Sequence, residues 1–303
     1  MKAAFIINSV HKKRFTFESN IQSQLSKKGI TEIKFEYTEN VGHAIDLAKN
    51  LADNNFNYVI AVGGDGTINE VVNGILQSNN ASSVALGICS IGTANDLCRT
   101  LNLKADWQEV VQLLEHNSTK TIDVGLVEYF NDKAEAKSRY FINVADLGIG
   151  GYVVDKVTKS KKTFGPKFTF LKSIFGALLT YEQSEIECKS PDFEWKGKLM
   201  SLAISNGRFF GSGLEIAPDA KIDDGTFDIT IMSDIKKLDY IKHVGKVKKG
   251  EKLDHPKVFY HKTNKLEINP INLSCAVDLD GEFLGFAPIK VSLQPLALKV
   301  LSL

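Results

Sequence analysis

The sequence has little cysteine, little proline, no excess of charge of either sign and no long hydrophobic run. Its 303 residues include four cysteines and seven prolines, and 37 basic residues stand against 36 acidic ones. Such a balance gives no argument for nucleic-acid binding, and 43% hydrophobic residues are typical of a globular chain. No run approaches the roughly 18 apolar residues that span a bilayer, and the first residues lack a signal-peptide pattern. These absences predict a globular, cytoplasmic protein that does not bind nucleic acid.

The cysteines and histidines form no motif of their own. The four cysteines are scattered among apolar neighbours without a Cys-x-x-Cys pair, so we expect buried thiols in a reducing compartment. A zinc site is not supported, because no His or Cys lies at ligand spacing from another. None of the six histidines has neighbours that would place it in a Ser/His/Asp set.

The N-terminal part of the sequence alternates short apolar runs with amphipathic segments. Strands are predicted at 3–7, 32–37, 58–62 and 84–89, and helices at 17–28, 41–53 and from residue 68. This order predicts an α/β domain over 1–125, with a mainly parallel sheet and helices on both faces.

From residue 126 the pattern changes to short strands separated by Gly, Asn and Asp turns. These strands are predicted at 139–145, 199–205, 226–232, 265–268, 273–279 and 289–293. They predict an antiparallel β domain over 126–294. Two lysine-rich segments, 152–181 and 236–252, interrupt it. Each is either a solvated charged face beside a core-packed helix or a surface that contacts anionic lipid.

One glycine-rich loop carries the strongest local signal. Gly63-Gly64-Asp65-Gly66-Thr67-Ile68-Asn69-Glu70 follows the strand at 58–62 and precedes a helical pattern. A helix N-terminus behind such a loop offers free N–H groups to a phosphate. Thr67 and Glu70 have the spacing of a capping box, which predicts that the helix begins there. No Walker motif and no Gly-x-Gly-x-x-Gly is present, which disfavours a Walker-type ATPase and a dinucleotide dehydrogenase.

A second loop repeats this arrangement after the strand at 84–89. It reads Gly92-Thr93-Ala94-Asn95-Asp96, with Thr93 and Asp96 as candidate caps of the next helix. Ligands bind doubly wound sheets where such loops converge, which would bring Asp65 and Asp96 to one crevice, joined by Asp123. Three carboxylates repel a phosphate unless a cation intervenes, so the sequence predicts bound Mg²⁺.

A series of motifs runs along nearly the whole chain. Besides the two glycine loops, they are Thr38-Glu39-Asn40-Val41-Gly42-His43-Ala44, Ile122-Asp123-Val124-Gly125, Gly207-Arg208-Phe209-Phe210-Gly211-Ser212-Gly213, Ala217-Pro218-Asp219-Ala220, Asp223-Asp224-Gly225 and Asp280-Gly281-Glu282. Together they resemble the diacylglycerol and sphingosine lipid-kinase superfamily, and most closely its short bacterial members. Gly-Gly-Asp-Gly-Thr alone also occurs in NAD kinases.

The resemblance implies a fold and an activity. The fold is an N-terminal α/β domain like that of NAD kinase and phosphofructokinase, followed by a C-terminal antiparallel β-sandwich domain for the lipid, with the active site in the cleft between them. Residues 295–303 would return to the first domain. The activity is that of an ATP- and Mg²⁺-dependent kinase, which phosphorylates a hydroxyl of a diacylglycerol-like or sphingoid lipid.

The resemblance also implies roles for individual residues. Glu282 matches the family's proton acceptor. The convergence of the two glycine loops adds Asp65, Asp96 and Asp123 as further catalytic residues, which would organise Mg²⁺ and the phosphates. Contacts with ATP are implied for Asn8, Thr38, Gly64, Asp65, Gly66, Thr67, Ile68, Asn69, Glu70 and Thr93. A structural Mg²⁺ is implied at Asp224, with carbonyls near Lys221 and Thr226. Without the resemblance, Glu282 reads as a hairpin carboxylate in water and Asp224 as part of an Asp-Gly turn.

One stretch departs from the family pattern. The usual Asn-Pro-x-Ser/Ala-Gly after the first strand is replaced here by Asn8-Ser9-Val10-His11-Lys12. The phosphate contact that the resemblance would place in this loop therefore lacks its usual residues, although Asn8 itself is retained.

Two alternative functions stay open. A NAD kinase shares the Gly-Gly-Asp loop but should lack Gly-Thr-Ala-Asn-Asp and the late Asp-Gly-Glu. A non-catalytic nucleotide- or lipid-binding regulator would not need the intact set of three aspartates and Glu282. We expect an enzyme that contacts anionic membrane surfaces peripherally through the lysines of 156–172. The sequence leaves the acceptor lipid, the choice between ATP and GTP, the pathway and the oligomeric state open, with a homodimer among the alternatives.

Overall fold

The structure of the chain is a computed structural model that describes residues 1–10, 14–27, 30, 32–92, 94–159, 176 and 178–302. The chain divides into two compact units, Met1–Val124 with Gln294–Leu303, and Gly125–Leu293. It therefore passes from the first unit to the second and back again.

The regular elements are as follows. The strands are β1 (Lys2–Ile7), β2 (Glu32–Tyr37), β3 (Tyr58–Gly63), β4 (Ala85–Ser90), β5 (Thr119–Phe130), β6 (Ala136–Phe141), β7 (Val144–Gly148), β8 (Ser184–Lys189), β9 (Glu194–Ser205), β10 (Phe209–Phe210), β11 (Leu214–Glu215), β12 (Phe227–Ser233), β13 (Val258–Thr263), β14 (Lys265–Pro270), β15 (Ala276–Leu279), β16 (Glu282–Phe286) and β17 (Ile289–Leu301). The helices are α1 (Arg14–Lys27), α2 (His43–Asp53), α3 (Asp65–Leu76), α4 (Asp96–Leu101), α5 (Trp107–His116), α6 (Ile149–Lys159) and α7 (Lys237–Val247), with a 3₁₀ turn at Ala81–Ser83.

A parallel sheet forms the centre of the first unit. Its strand order is β2-β1-β3-β4, and the end of β17 adds a further parallel strand where Lys299 pairs with Ala85. Ile60 lies at the middle of the sheet, between Phe5 and Gly87. Both faces of such a sheet are covered, which is why β3 is a continuous, fully buried apolar run.

Antiparallel strands make up the second unit. β9 pairs with β7, β8 and β12, and β15 pairs with β7 and β16. The rings of Phe141 and Phe227 stack in the main core of this unit, with their centroids 5.6 Å apart. A second core cluster includes Met200 and Val247, the last residue of α7.

The fold class predicted from the sequence is confirmed. The N-terminal domain has parallel strands and helices, and the C-terminal domain is antiparallel and rich in β structure. The four cysteines are buried and unpaired, as expected, and burial raises the pKa of Cys89 to about 12. Among the residues that the structure describes, no helix is long and apolar enough to cross a membrane.

The predicted capping box at the start of α3 is wrong. The helix begins at Asp65, and its N-cap is Gly64, which has no side chain to cap it. The Glu70 carboxylate instead accepts the N–H groups of Gly42 at 2.8 Å and Ala44 at 3.2 Å. It therefore satisfies donors at the first turn of α2 and not at its own helix.

The strand predicted over 139–145 is interrupted. β6 ends at Phe141 and β7 begins at Val144, because the carboxylate of Asp280 accepts the N–H groups of the residues between them. Ile142 and Asn143 donate to it at 2.9 Å, and Val144 donates at 3.0 Å. In the lysine-rich segment 152–181, the apolar pattern at Leu171, Ile174 and Phe175 lies outside the described residues.

Candidate active site

The carboxyl ends of the first-unit strands bring two glycine loops into contact. A Cβ placed on Gly92 would lie 2.9 Å from the Cα of Gly64, so the second loop approaches the first more closely than any side chain would permit. The loop after β1 joins them, because Asn8 Nδ2 donates to Thr67 Oγ1 at 3.1 Å. Thr38, just after β2, accepts the N–H of Ser9 at 3.4 Å. Asn8, Thr38 and the first glycine loop thus lie together at the carboxyl ends of the parallel strands.

The phosphate-binding capacity of this edge lies in the backbone. α3 runs for 12 residues from Asp65 and presents its first N–H groups beside Gly64. Ile68 and Asn69 are 1% and 0% exposed, and the Ile68 N–H donates to the Gly64 carbonyl at 3.1 Å. Glu70 is 7% exposed and occupied with the start of α2. Thr93 lies outside the described residues.

The three predicted aspartates have different partners. Asp65 Oδ2 accepts the N–H of Asn95 at 3.3 Å, which links the two glycine loops. Asp96 is 6% exposed and pairs with Arg99 at 3.0 Å. Asp123 is fully buried and accepts the N–H of Leu296 at 2.7 Å. Arg99 is one of the residues that sequence reasoning missed. The available signal was its position three residues after Asp96 on a helix, where the two side chains are neighbours.

These carboxylates are chemically suited to Mg²⁺, which prefers oxygen ligands. Among the described residues, no group of three or more His, Cys, Asp or Glu side chains is assembled to hold a metal ion. A protein that binds Mg²⁺ together with substrate phosphates usually supplies only one or two carboxylates. Asp65 at the joined loops is therefore compatible with such a site.

In the second unit, a tight turn places Glu282 at the start of β16. Asp280 and Gly281 form the turn with φ of 52° and 89°, and the Asp280 carboxylate fixes it by accepting three backbone N–H groups. Glu282 forms an ion pair with Arg139 of β6, and about a quarter to a third of each side chain is exposed. Sequence reasoning missed Arg139, because the two residues lie 143 positions apart.

Asp224 already has a positively charged neighbour. Its Oδ1 accepts from Thr226 through the N–H at 3.2 Å and the hydroxyl at 2.9 Å, as in an Asp-Gly turn. Lys262 Nζ lies 3.3 Å from Asp224 Oδ2 and 3.1 Å from Asp228 Oδ2. The Lys262 ammonium therefore contacts the carboxylate that the resemblance assigns to structural Mg²⁺. A metal ion could bind there only if the ammonium moved away.

Comparisons with known proteins address the resemblance directly. The model of the diacylglycerol kinase catalytic domain matches residues 2–127, and that of the YegS C-terminal NAD kinase β-sandwich-like domain matches residues 143–302. The diacylglycerol kinase of Staphylococcus saprophyticus is 32% identical over 88% of this chain and 83% of its own length. This chain belongs to the diacylglycerol kinase family.

Two further proteins match over greater lengths. The diacylglycerol kinase of Bacillus subtilis (strain 168) is 29% identical over 95% of this chain and 92% of its own length. The crystal structure of a putative diacylglycerol kinase from Bacillus anthracis (str. Sterne) superposes with a TM-score of 0.77 at 21% identity, covering 100% of this chain and 97% of that one. The family predicted from the sequence motifs is thus confirmed.

Two buried carboxylates in this diacylglycerol kinase family member were not foreseen. Asp146 of β7 and Asp278 of β15 are directly paired across the antiparallel strands and are 1% and 7% exposed. Burial raises the pKa of Asp146 to about 7. Burial, and then the neighbouring Asp146 carboxylate, raise the pKa of Asp278 well above its ordinary value. The available signal was an aspartate inside each of two apolar runs, Val144–Leu147 and Ala276–Leu279.

Proposed function

We propose that the protein is an ATP- and Mg²⁺-dependent lipid kinase that phosphorylates a hydroxyl of a diacylglycerol-like or sphingoid lipid. The observation that carries the proposal is the contact between the two glycine loops, at Gly64 and Gly92, in a chain of the diacylglycerol kinase family. A loop pair of this kind at a helix N-terminus suits the phosphates of a nucleotide.

The donor side of the reaction is assigned to the first unit. The N–H groups at the start of α3 bind phosphate oxygens, and Asn8, Thr38 and Thr67 supply polar atoms at the same sheet edge. Mg²⁺ would be held by Asp65, with Asp96 and Asp123 in supporting roles. When bound, the metal would neutralise charge on the transferring phosphoryl group.

Glu282 is assigned the role of accepting the proton of the lipid hydroxyl. The lipid hydroxyl oxygen attacks the γ-phosphorus of ATP, the bond from that phosphorus to the β–γ bridging oxygen breaks, and ADP leaves. The hydroxyl proton passes to a carboxylate oxygen of Glu282. Arg139 restrains the rotation of this carboxylate through their ion pair, and the turn at Asp280 and Gly281 fixes its backbone. Orientation of the nucleophile is a main requirement of phosphoryl transfer.

The structural Mg²⁺ site is proposed separately, at Asp224 with the carbonyls of Lys221 and Thr226. Because Lys262 contacts the same carboxylate, metal binding there should compete with the lysine. A Lys262→Ala variant should therefore gain more thermal stability from Mg²⁺ than the wild type does. An equal gain in both proteins would argue against metal at Asp224.

We also propose a peripheral association with anionic membranes, since the acceptor is a membrane lipid. Of the lysines of 156–172, only Lys156 and Lys159 belong to the described residues. Lys156 lies over the Tyr152 ring, 5.1 Å from its centroid, and Lys159 pairs with Asp155 at 2.7 Å. Neither contact prevents an ammonium group from meeting a headgroup phosphate.

The proposal is tested by ATP turnover with purified protein. Radiolabelled ATP and Mg²⁺ are supplied with diacylglycerol, with sphingosine, or with NAD, and the labelled product is separated in each case. We expect labelled lipid from the wild type and none from Asp65→Asn at unchanged thermal stability. Labelled NADP would identify a NAD kinase, and ATP binding without turnover would identify a regulator; either result contradicts the proposal.

A further inference from the structure

α7 presents an unusual outer face. Its inner face carries Tyr240 and Val247, which pack on the core cluster around Met200. On the outside, Leu238 and Ile241 are 73% and 45% exposed. These two large aliphatic side chains are three positions apart and are therefore neighbours on the helix surface. A helix face that meets only water is normally polar there.

A third exposed aliphatic residue lies in a segment that is tied to the first turn of α7. Leu179 is 79% exposed, and its backbone carbonyl accepts a hydrogen bond from Lys237 Nζ at 2.9 Å. The chain just before β8 is thereby tied to the first turn of α7. This part of the second unit thus has three exposed aliphatic residues, two on α7 and one in the segment bonded to it.

The same surface carries a concentrated positive charge. Residues 236–252 contain seven lysines and two acids, a formal charge of +5, whereas the whole chain carries +1 and the remainder therefore −4. Lys242 pairs with Asp239 and Lys252 with Asp219. Among the ion pairs of the described residues, none engages the other five. We name the following set the α7 face: Leu179, Lys236, Leu238, Ile241, Lys242, Lys246, Lys248 and Lys249.

We propose that the α7 face docks on an anionic lipid bilayer, with Leu238, Ile241 and Leu179 entering the headgroup region and the lysines contacting lipid phosphates. Aliphatic residues beside lysines are the pattern of helices that lie in a membrane interface. A nucleic acid would be bound by the lysines alone and would leave the aliphatic residues without a role. A second copy of this chain would bring two surfaces of charge +5 together, which electrostatic repulsion opposes.

The proposed docking rests on the proposed function only for its biological role, which is to hold a kinase on the bilayer that contains its substrate. The docking itself requires neither ATP nor turnover. Binding is therefore measured without nucleotide, by co-sedimentation of the full chain with phosphatidylcholine vesicles that contain or lack phosphatidylglycerol. We expect binding to the anionic vesicles, and we expect it to weaken with salt because screening reduces headgroup attraction.

Two double variants separate the apolar and the charged contributions. The first variant combines Leu238→Ser with Ile241→Ser, and the second combines Lys246→Glu with Lys249→Glu. Each should weaken partition into anionic vesicles at least about tenfold. The matched controls are Ile271→Ser with Leu273→Ser, at residues 47% and 43% exposed, and Lys133→Glu with Lys196→Glu, at exposed lysines. The controls should bind as the wild type does. Thermal unfolding of each variant establishes that the fold is retained.

The proposal is overturned if the α7 variants bind as tightly as the wild type, or if the controls lose as much. It is also overturned if the wild type ignores vesicles and forms a dimer that the α7 variants dissociate. Turnover of a short-chain diacylglycerol in free solution separates this test from that of the kinase activity. There the α7 variants should match the wild type. A wild type that binds vesicles through this face and phosphorylates no lipid would refute the kinase and support the docking surface.

Discussion

Replacing Asp146 by Asn should make the second unit more stable at alkaline pH. In the folded protein, Asp146 Oδ1 accepts the Ser201 hydroxyl at 3.1 Å, whereas its buried Oδ2 has no hydrogen-bond partner. Asp278 faces it across the strand pair. An asparagine of the same shape accepts from Ser201 and carries no charge toward Asp278.

The sign follows from the direction of the pKa shift. Folding raises the pKa of Asp146 from 3.8 to about 7, so the folded state holds the proton more tightly than the unfolded state does. The wild type is therefore most stable below the unfolded pKa and loses stability as the pH rises toward 7. Each pKa unit corresponds to about 1.4 kcal/mol, and a shift of roughly three units gives a loss on the order of 4 kcal/mol.

The assay is urea unfolding at about pH 4, close to the unfolded pKa, and at about pH 8, above the folded pKa. The loss of stability is small at the lower pH and nearly complete at the higher one. The chain has two tryptophans, so a Trp107→Phe background leaves Trp195, which packs against the second-unit core, as the fluorescent reporter. Relative to its parent, the Asn variant should gain several kcal/mol of unfolding free energy between about pH 4 and about pH 8. Asp254→Asn, at an exposed carboxylate, is the control.

A pH-independent effect of the substitution would contradict the raised pKa of Asp146. If the difference in unfolding free energy between the Asn variant and its parent is the same at both pH values, Asp146 is ionised in the folded protein. The charge of Asp146 would then be stabilised by a group other than its own proton.

Three further predictions concern the candidate site. Glu282→Gln should lower kcat by roughly 10²–10⁴-fold with little change in the KM for ATP; steady-state kinetics that show a loss of ATP affinity alone would move Glu282 to the nucleotide site. Gly92→Ala should lower the thermal midpoint without nucleotide, because its Cβ would lie 2.9 Å from Gly64 Cα. The control Gly64→Ala, whose Cβ would lie 3.7 Å from its nearest neighbour, should leave the midpoint unchanged. Equal midpoints in the two variants would contradict the close approach of the two loops. Asp280→Ala leaves three backbone donors without their acceptor and should cost at least about 1–3 kcal/mol in urea unfolding, and a smaller cost would mean that water replaces the carboxylate.

The parts of the fold predictable from sequence are those that local patterns determine. Buried strands such as β3 read as continuous apolar runs, because both faces of a parallel sheet are covered. The glycine loop was visible for a similar reason, since its residues are contiguous. The motif order then indicated the family without any knowledge of spatial contacts.

The errors and omissions share a different cause, which is contact between distant positions. The capping box at Thr67 and Glu70 was a reasonable local prediction, but Glu70 caps a helix that begins 27 residues earlier at His43. Arg139 meets Glu282 across 143 positions. One sequence contains no signal that pairs such residues, because their proximity depends on which strands become neighbours.

The pairing of β17 with β4 has a consequence for biosynthesis. The sheet of the first unit gains its last parallel strand from Lys299 and Val300, which leave the ribosome only after all of Gly125–Leu293 has been made. At about 5–20 residues per second, that interval is roughly ten to thirty seconds. Throughout it, the nascent chain presents the edge of β4 with unpaired N–H and C=O groups, which is a template for aggregation. The first unit thus cannot mature in the order of its translation, and β4 is where a chaperone that protects the growing polypeptide would have most to shield.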